Sequence, residues 1–509
     1  MTAKVNSDQQ TDNINSALEI GGRLAAQPSQ LMIDSAFDDE LKNQLHLMAA
    51  IGTVDLSHTV SAIELGVIPK STGCELLLAL QNLSDEPEDF IPDPACGDLY
   101  TNREAWLVEK TPSAAWLGAG RARREAITTA FFIKLREQLL FLLDALIKLQ
   151  ETLLTRSQVY NFAIMPDYTY LQSAQPTTFG HYLLTPGYAI MRDIKRLQTA
   201  YKHVNLSPAG CGSTTGSRIP QDRLRLATLM GFDDLFEHCR DAMWPADITI
   251  EVCSLATNVM INLSRLSEDL IVFSSQEFAL ITLHDKHCRA SKIMPNKKNP
   301  FALTYIRGLT NQVMGSLTTT VAMARTPSGQ PDNRLTIYGA LPNTLEKTIH
   351  AVNLFSEVIN DLEFNHKRGH ELANQSLICA TDLAETLVLK CGMEFRHAHR
   401  LIARLIQSQN GNPAIFQKTS TAEIKAIAKE LGLSIPELSQ FEIQQALDPQ
   451  HSVLNKSEIG GCSPDSLSEM IERCRKQMAL FQIWYIEKKA QLEQSQTILE
   501  TSIEKMIKG

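Results

Sequence analysis

The chain has 509 residues, 44% of them hydrophobic, which exceeds what a single small core accommodates and excludes a disulfide- or metal-stapled miniature scaffold. With 57 acidic against 48 basic side chains the formal charge is -9, which argues against a general nucleic-acid binder with a broad basic face. Only 25 Gly, 21 Pro and 6% aromatics favour long helices over many strands and turns, so the expected class is all-α.

The opening residues, MTAKVNSDQQTDNINS, are polar and lack the apolar stretch of a secretory signal. No window reaches about 18 uncharged apolar residues. A cytoplasmic protein without a membrane partner is expected. Cysteines occur singly from Cys74 to Cys474, with no C-x-x-C pair, and no metal site or disulfide framework is read from them.

From Leu41 to Leu83 helical spacing is broken at Gly66–Pro69 and again at Ser71–Gly73, predicting short helices. Ser84–Gly97 is acidic and carries Pro87, Pro92 and Pro94, the composition of a connecting loop. Long amphipathic helices are then expected over Ala126–Leu154, Gly180–Tyr201, Asp247–Phe273, Pro300–Arg325 and Pro342–Leu362. Pro300 and Pro342 open their segments, and Pro186 is internal and predicts a kink. Stripes as broad as Phe131-Phe132 with Leu139 to Leu143 call for burial against other helices, including those of other subunits. Between the helices, Trp116–Arg124, Tyr168–Pro176, Ser207–Pro220 and Asp285–Pro300 are rich in Gly, Ser, Thr, Asn and cations, as functional loops on a rigid scaffold are. Beyond Glu371 shorter helices resume, with breaks at Asn410–Pro413 and Gly460–Pro464 and a polar terminal helix from Pro464 to about Lys508. Three helical domains are expected, over residues 1–110, 111–366 and 367–509.

Two glycine patterns, Gly118-Ala-Gly120 and Gly210-Cys-Gly212 leading to Gly216, fall short of a dinucleotide fingerprint and follow no strand. His397 and His399 are two residues apart on a predicted helix, so they face different ways and cannot chelate one metal.

The informative segment is Ala290-Ser-Lys-Ile-Met-Pro-Asn-Lys-Lys-Asn-Pro300. It resembles the G-S-S-x-M-P-x-K-x-N-P signature of the fumarase/aspartase superfamily. Further segments resemble the argininosuccinate lyase family: Gly21-Gly22-Arg23, Tyr168 to Pro176, Ser207-Pro-Ala-Gly210, Leu229 to Asp233, Ala380-Thr-Asp-Leu-Ala384 and Ala446-Leu-Asp-Pro449, in that family's order. The resemblance implies a cofactor-independent lyase with no bound metal. It cleaves a C–N or C–O bond β to a carboxylate and releases fumarate, through a carbanion that needs cations and N–H donors. It also implies a homotetramer whose long central helices form one bundle, each active site being built from loops of three subunits.

By that resemblance Ser291 is the base, Lys297 and Asn299 hold the carboxylate, Thr169 hydrogen-bonds another carboxylate oxygen, and Gln172 belongs to the same substrate-binding motif. The departures are as informative. Tyr170 replaces the histidine that delivers a proton to the leaving group, and Thr304 replaces its glutamate partner. Tyr170 remains able to donate a proton. Tyr100 also replaces a histidine. The G-R-S-R-N-D loop appears as Gly120-Arg121-Ala122-Arg123-Arg124-Glu125, so Arg121 and Arg123 are retained and Arg124 is new, and Lys292 replaces the signature's second serine. If Arg124 and Lys292 face the pocket, the site gains two positive charges; the alternative is that both are solvated surface charges. Where the family grips the arginine moiety with Tyr, Gln and Lys, an ungapped comparison from Pro327 places Gln330, Leu335 and Tyr338, which speaks against argininosuccinate as substrate. The expectation is a lyase acting on an N-substituted aspartate or other small anionic succinyl compound. The paired loss of histidine and glutamate keeps two alternatives open, a non-catalytic homologue on the same scaffold or a different reaction on a polycarboxylate.

Overall fold

The computed structural model describes residues 18–508 except positions 86, 328 and 435, so the polar opening segment lies outside the described residues. The N-terminal part carries α1 (Met48–Glu64), α2 (Lys70–Ser84) and α3 (Leu99–Lys110). The break expected at Ser71–Gly73 is absent. A Cβ on Gly73 would lie 2.4 Å from Ile63 Cδ1, so this glycine sits inside α2 to let α1 pack close. Asp98 starts α3 by accepting the Thr101 N–H at 2.9 Å, an ordinary N-cap.

The central body is α4 (Arg123–Val159), a hairpin of β1 (Ile164–Thr169) and β2 (Gln172–Thr178), α5 (Phe179–Val204), α6 (Ala246–Phe273), α7 (Phe301–Ala324) and α8 (Ile337–Asp361). With 37 residues α4 runs for about 55 Å. It packs on α5 and α8, while α6 joins α5, α7 and α8. Leu135, Leu139, Leu142, Leu143 and Leu146, the predicted stripe, are buried in this bundle. Pro186 lies inside α5 as the spacing implied. Pro342 does not open its helix: α8 starts five residues earlier, and the proline deprives the Tyr338 carbonyl of its intrahelical donor. The segment Tyr168–Pro176, expected as a loop, is mostly strand. Its alternation is masked by polar residues on both faces.

One hydrophobic cluster runs from Leu41 to Phe364 and includes Leu467 to Phe481 of the terminal helix α9 (Pro464–Lys508). A second cluster spans Ala373 to Leu447. The terminal helix therefore returns to the central body after the second cluster is complete. Among the described residues the strands form four two-stranded pairs, and the fold is all-α in class. No helix among them is long and apolar enough to cross a membrane.

Candidate active site

The tip of the β1–β2 hairpin carries three of the expected site residues. Thr169 pairs with Gln172, and Tyr170 and Leu171 make the turn with φ of 55° and 56°. Left-handed backbone at two bulky residues is strained by about 1–3 kcal/mol each, and strain of this kind collects where a side chain must be aimed. Tyr170 is 98% exposed, projecting from a rooted base. That base is buried: Met165 and Pro176 are enclosed, and the Cys462 thiol and Lys456 ammonium both donate to the Pro176 carbonyl.

The signature loop hangs from a much shorter antiparallel pair, Arg289 opposite Asn299 and Ala290 opposite Lys298. Asn299 closes it by donating from Nδ2 to the Arg289 carbonyl at 2.9 Å. Lys298 donates to the Leu283 carbonyl at 2.6 Å and pairs with Asp285, and Arg289 lies over the Phe301 ring at 4.6 Å. Within the loop, Ser291 Oγ accepts the backbone N–H of Met294 at 3.0 Å and of Ile293 at 3.3 Å. Two N–H dipoles on one hydroxyl oxygen favour its anionic form. Lys292 and Lys297 are exposed on the same loop and carry no ion pair among the described residues. Thr304, in the first turn of α7, donates back to the Pro300 carbonyl at 3.1 Å, so its hydroxyl is engaged by its own helix.

The third group surrounds the start of α4. Arg123 is half-exposed, pairing through Nε with the buried Asp98 at 3.2 Å and donating to Thr101 Oγ1 at 3.1 Å. Its two neighbours behave differently from each other. Arg124 pairs with Glu40 at 2.8 Å, with both side chains mostly buried, so the extra charge it introduces is offset. Arg121 is enclosed: its Nη2 donates to Asp55 at 2.8 Å and to the Tyr100 hydroxyl at 3.1 Å. Asp55 also holds Arg103 at 3.0 Å. Arg121 is therefore sealed in the interior, with its guanidinium engaged by Asp55 and Tyr100. Burial pushes the Tyr100 hydroxyl up to about 12, against the pull of Arg121, so Tyr100 is protonated at neutral pH. Glu125 is buried and accepts the N–H groups of Gly210 and Gly212, both at 2.6 Å, which clamps the loop Ser207–Pro220 to α4. Burial raises its pKa while those N–H groups pull it down. At Gly120, with φ of 74°, a Cβ would lie 2.5 Å from Gln221 Nε2, so the two glycine-rich loops touch.

Structure thus brings Arg121, Arg123 and Arg124 together, groups Thr169, Tyr170 and Gln172 at the hairpin, and groups Ser291, Lys292, Lys297 and Asn299 on the signature loop. Among the described residues no hydrogen bond or ion pair joins one group to another within the chain. Nor does any group of three or more His, Cys, Asp or Glu converge as metal ligands would. The partners Glu40, Asp55 and Asp98 escaped the sequence reading. Only Asp98 left a local signal, as a capping aspartate three residues before Thr101. Glu40 and Asp55 lie 84 and 66 residues from the arginines they bind.

A family profile described as lyase matches residues 99–315, and one described as argininosuccinate lyase C-terminal matches residues 377–454. The argininosuccinate lyase of Methanococcoides burtonii is 33% identical over 466 residues, covering 90% of this chain and 92% of that protein. That of Archaeoglobus fulgidus is 31% identical over 420 residues, covering 82% and 85%. Among solved structures, EDDS lyase in complex with formate superposes with a TM-score of 0.83 at 24% identity, covering 95% of this chain and 97% of that one. An EDDS lyase variant with bound fumarate gives 0.82 at 23% identity, covering 95% and 97%, and class II fumarase from Schistosoma mansoni gives 0.66 at 16%, covering 80% and 90%.

Proposed function

We propose, from the premise that this chain belongs to the argininosuccinate lyase family of the fumarase/aspartase superfamily and is a carbon–nitrogen lyase, that it cleaves an N-substituted aspartate or related succinyl compound and releases fumarate. The observation that carries this reading is Ser291. Its hydroxyl oxygen receives two backbone N–H groups on a loop that also presents Lys292 and Lys297, just ahead of the N-terminus of α7. In the proposed reaction the Ser291 alkoxide removes a proton from the carbon beside the distal carboxylate. The electron pair delocalises into that carboxylate, which Lys297 and Asn299 stabilise. Collapse to fumarate breaks the C–N bond, and the leaving nitrogen takes a proton from Tyr170. Thr169, Gln172 and Arg123 bind the remaining carboxylate oxygens, Arg124 and Lys292 border them, and Arg121 braces the start of α4 through Asp55 and Tyr100.

Argininosuccinate itself is disfavoured. Tyr338, which replaces the family's lysine, is fully buried, shares a hydrogen bond with Thr128 at 3.0 Å and packs on Phe131 and Trp244, so this position supplies a buried phenol in place of the lysine's ammonium. An EDDS lyase variant of this fold carries bound fumarate, which supports a fumarate-binding site here.

The three groups would meet across subunits of a homotetramer. On α7, Tyr305, Met314 and Val321 are about half exposed, and Gly308 and Gly315 face open space, as a helix awaiting partner helices would. The test is to incubate the protein with a panel of N-substituted aspartates and follow fumarate absorbance, with Ser291→Ala alongside. Loss of about 100-fold or more in kcat is expected for removal of the base. Equal activity in the variant would remove Ser291 from the mechanism, and a monomer in native mass measurement would rule out the shared site.

A further inference from the structure

Pro342 lines a polar cleft between α4 and α8. Because a proline has no N–H, the carbonyl of Tyr338 one turn earlier has no intrahelical donor, and the imidazole of His46 approaches it instead. Pro342's own carbonyl takes the Gln138 side-chain amide at 2.9 Å. At Gly339 a Cβ would lie 2.3 Å from Asn43 Oδ1, so the segment bearing Lys42, Asn43 and His46 presses directly on the opened turn of α8. Between that segment, α4 and α8 lies a cavity of about 750 Å³.

Its charges are unevenly satisfied. Lys42 is paired with Asp38 and Lys148 with Asp144, both at or near hydrogen-bonding distance. Lys134 on α4 and Glu346 on α8 also line the cavity, and neither has an ion pair among the described residues. Both act on His46, Lys134 repelling its charge and Glu346 favouring it. Part of His46 faces solvent, but enough of the ring is enclosed for burial, with Lys134 second, to bring its pKa down to about 4, so it stays neutral beside them. Gln138 is 7% exposed, and its Oε1, opposite the amide that binds Pro342, has no donor. That oxygen is sealed from solvent, so Gln138 serves the cleft by holding the Pro342 turn. Phe141, 59% exposed, and Ile349 add an apolar wall.

We infer that this cleft is a binding site for a free α-amino acid, held as its zwitterion, distinct from the lyase site. Lys134 receives the carboxylate, Glu346 receives the ammonium, and the side chain lies on Phe141. A dianion would meet Glu346 uncompensated, and a diamine would meet Lys134. This assignment does not depend on the identity of the lyase substrate.

The test is calorimetric titration of the intact assembly with glycine, L-alanine, L-glutamine and L-phenylalanine, and with succinate and putrescine as the dianion and dication. At least one amino acid is expected to bind with one site per chain, and neither control should. Lys134→Met and Glu346→Gln, each near the parent in volume, should weaken that binding by about tenfold or more, the loss of one charge-assisted hydrogen bond. Ser291→Ala should leave it unchanged. Folding of each variant is checked by helical circular dichroism and native mass. No binding by any of the four amino acids, equal binding of succinate or putrescine, retention of affinity in both charge variants, or loss of affinity in Ser291→Ala would each overturn the assignment.

Discussion

Replacing Asp55 with alanine separates support from recognition at the start of α4. The carboxylate accepts from Arg121 Nη2 at 2.8 Å and from Arg103 Nη2 and Nε at 3.0 and 3.4 Å, and all three side chains are at most 1% exposed. Its removal leaves two guanidinium groups in the interior without a counter-charge. Breaking a buried pair in this way is unfavourable by about 3–5 kcal/mol. Arg121→Met is milder, because Asp55 keeps Arg103, and about 1.5–3 kcal/mol is expected. At about 2.1 cal/mol/K per residue, a chain of 509 residues has an unfolding entropy of about 1.1 kcal/mol/K, so a 4 kcal/mol loss lowers Tm by about 4 °C. A segment that melts before the rest shows a larger shift. The assay is thermal unfolding followed by circular dichroism at 222 nm, paired with fumarate-release kinetics. Asp55→Ala should lose several degrees, Arg121→Met less. Arg123→Ala, whose guanidinium is half in solvent, should lower Tm less than Asp55→Ala and raise KM. If Asp55→Ala unfolds with the parent, or if Arg121→Met changes KM with no change in Tm, Arg121 touches substrate and the supporting role is wrong.

His58 is buried, and burial first, then Arg121, holds its pKa well below 6.5. Between that value and 6.5 the unfolded chain binds the extra proton, so stability falls as pH drops from about 7 to 5. His58→Gln should flatten this slope relative to the parent, by at most about 1.4 kcal/mol per pH unit; parallel Tm-versus-pH curves would contradict it. At Gly180 a Cβ would stand 2.3 Å from the Ser157 carbonyl and 2.8 Å from that of Tyr160, both backbone, so Gly180→Ala should abolish soluble expression or lower Tm sharply. Gly118→Ala, with nothing within 4 Å, should stay within about 0.5 kcal/mol. Glu40→Gln removes the partner of Arg124 and should tighten inhibition of fumarate release by succinate several-fold; unchanged inhibition would mean that Arg124 does not face the substrate.

What the residues determined unaided was the periodicity and one dense motif. Apolar spacing located α4 to α8 because a helix repeats its buried face every 3.6 residues whatever it packs against. The Ala290 to Pro300 signature identified the family because its spacing is local. The start of α8 lies earlier than Pro342 suggests, since a proline inside a helix is tolerated when a neighbour such as His46 approaches the carbonyl it leaves without a donor. The same local reasoning read β1–β2 as loop, because a hairpin anchored by Met165 and Pro176 can carry polar residues on the rest of both strands. Charge was the property least legible in the sequence. Arg121, Arg123 and Arg124 are adjacent and alike as text, yet one is sealed against Asp55, one is shared between Asp98 and solvent, and one is offset by Glu40. Only the tertiary structure decides among these outcomes, because an ion pair depends on which distant carboxylate the packing of α1, α3 and the N-terminal segment delivers within 4 Å, and on how much water it leaves there.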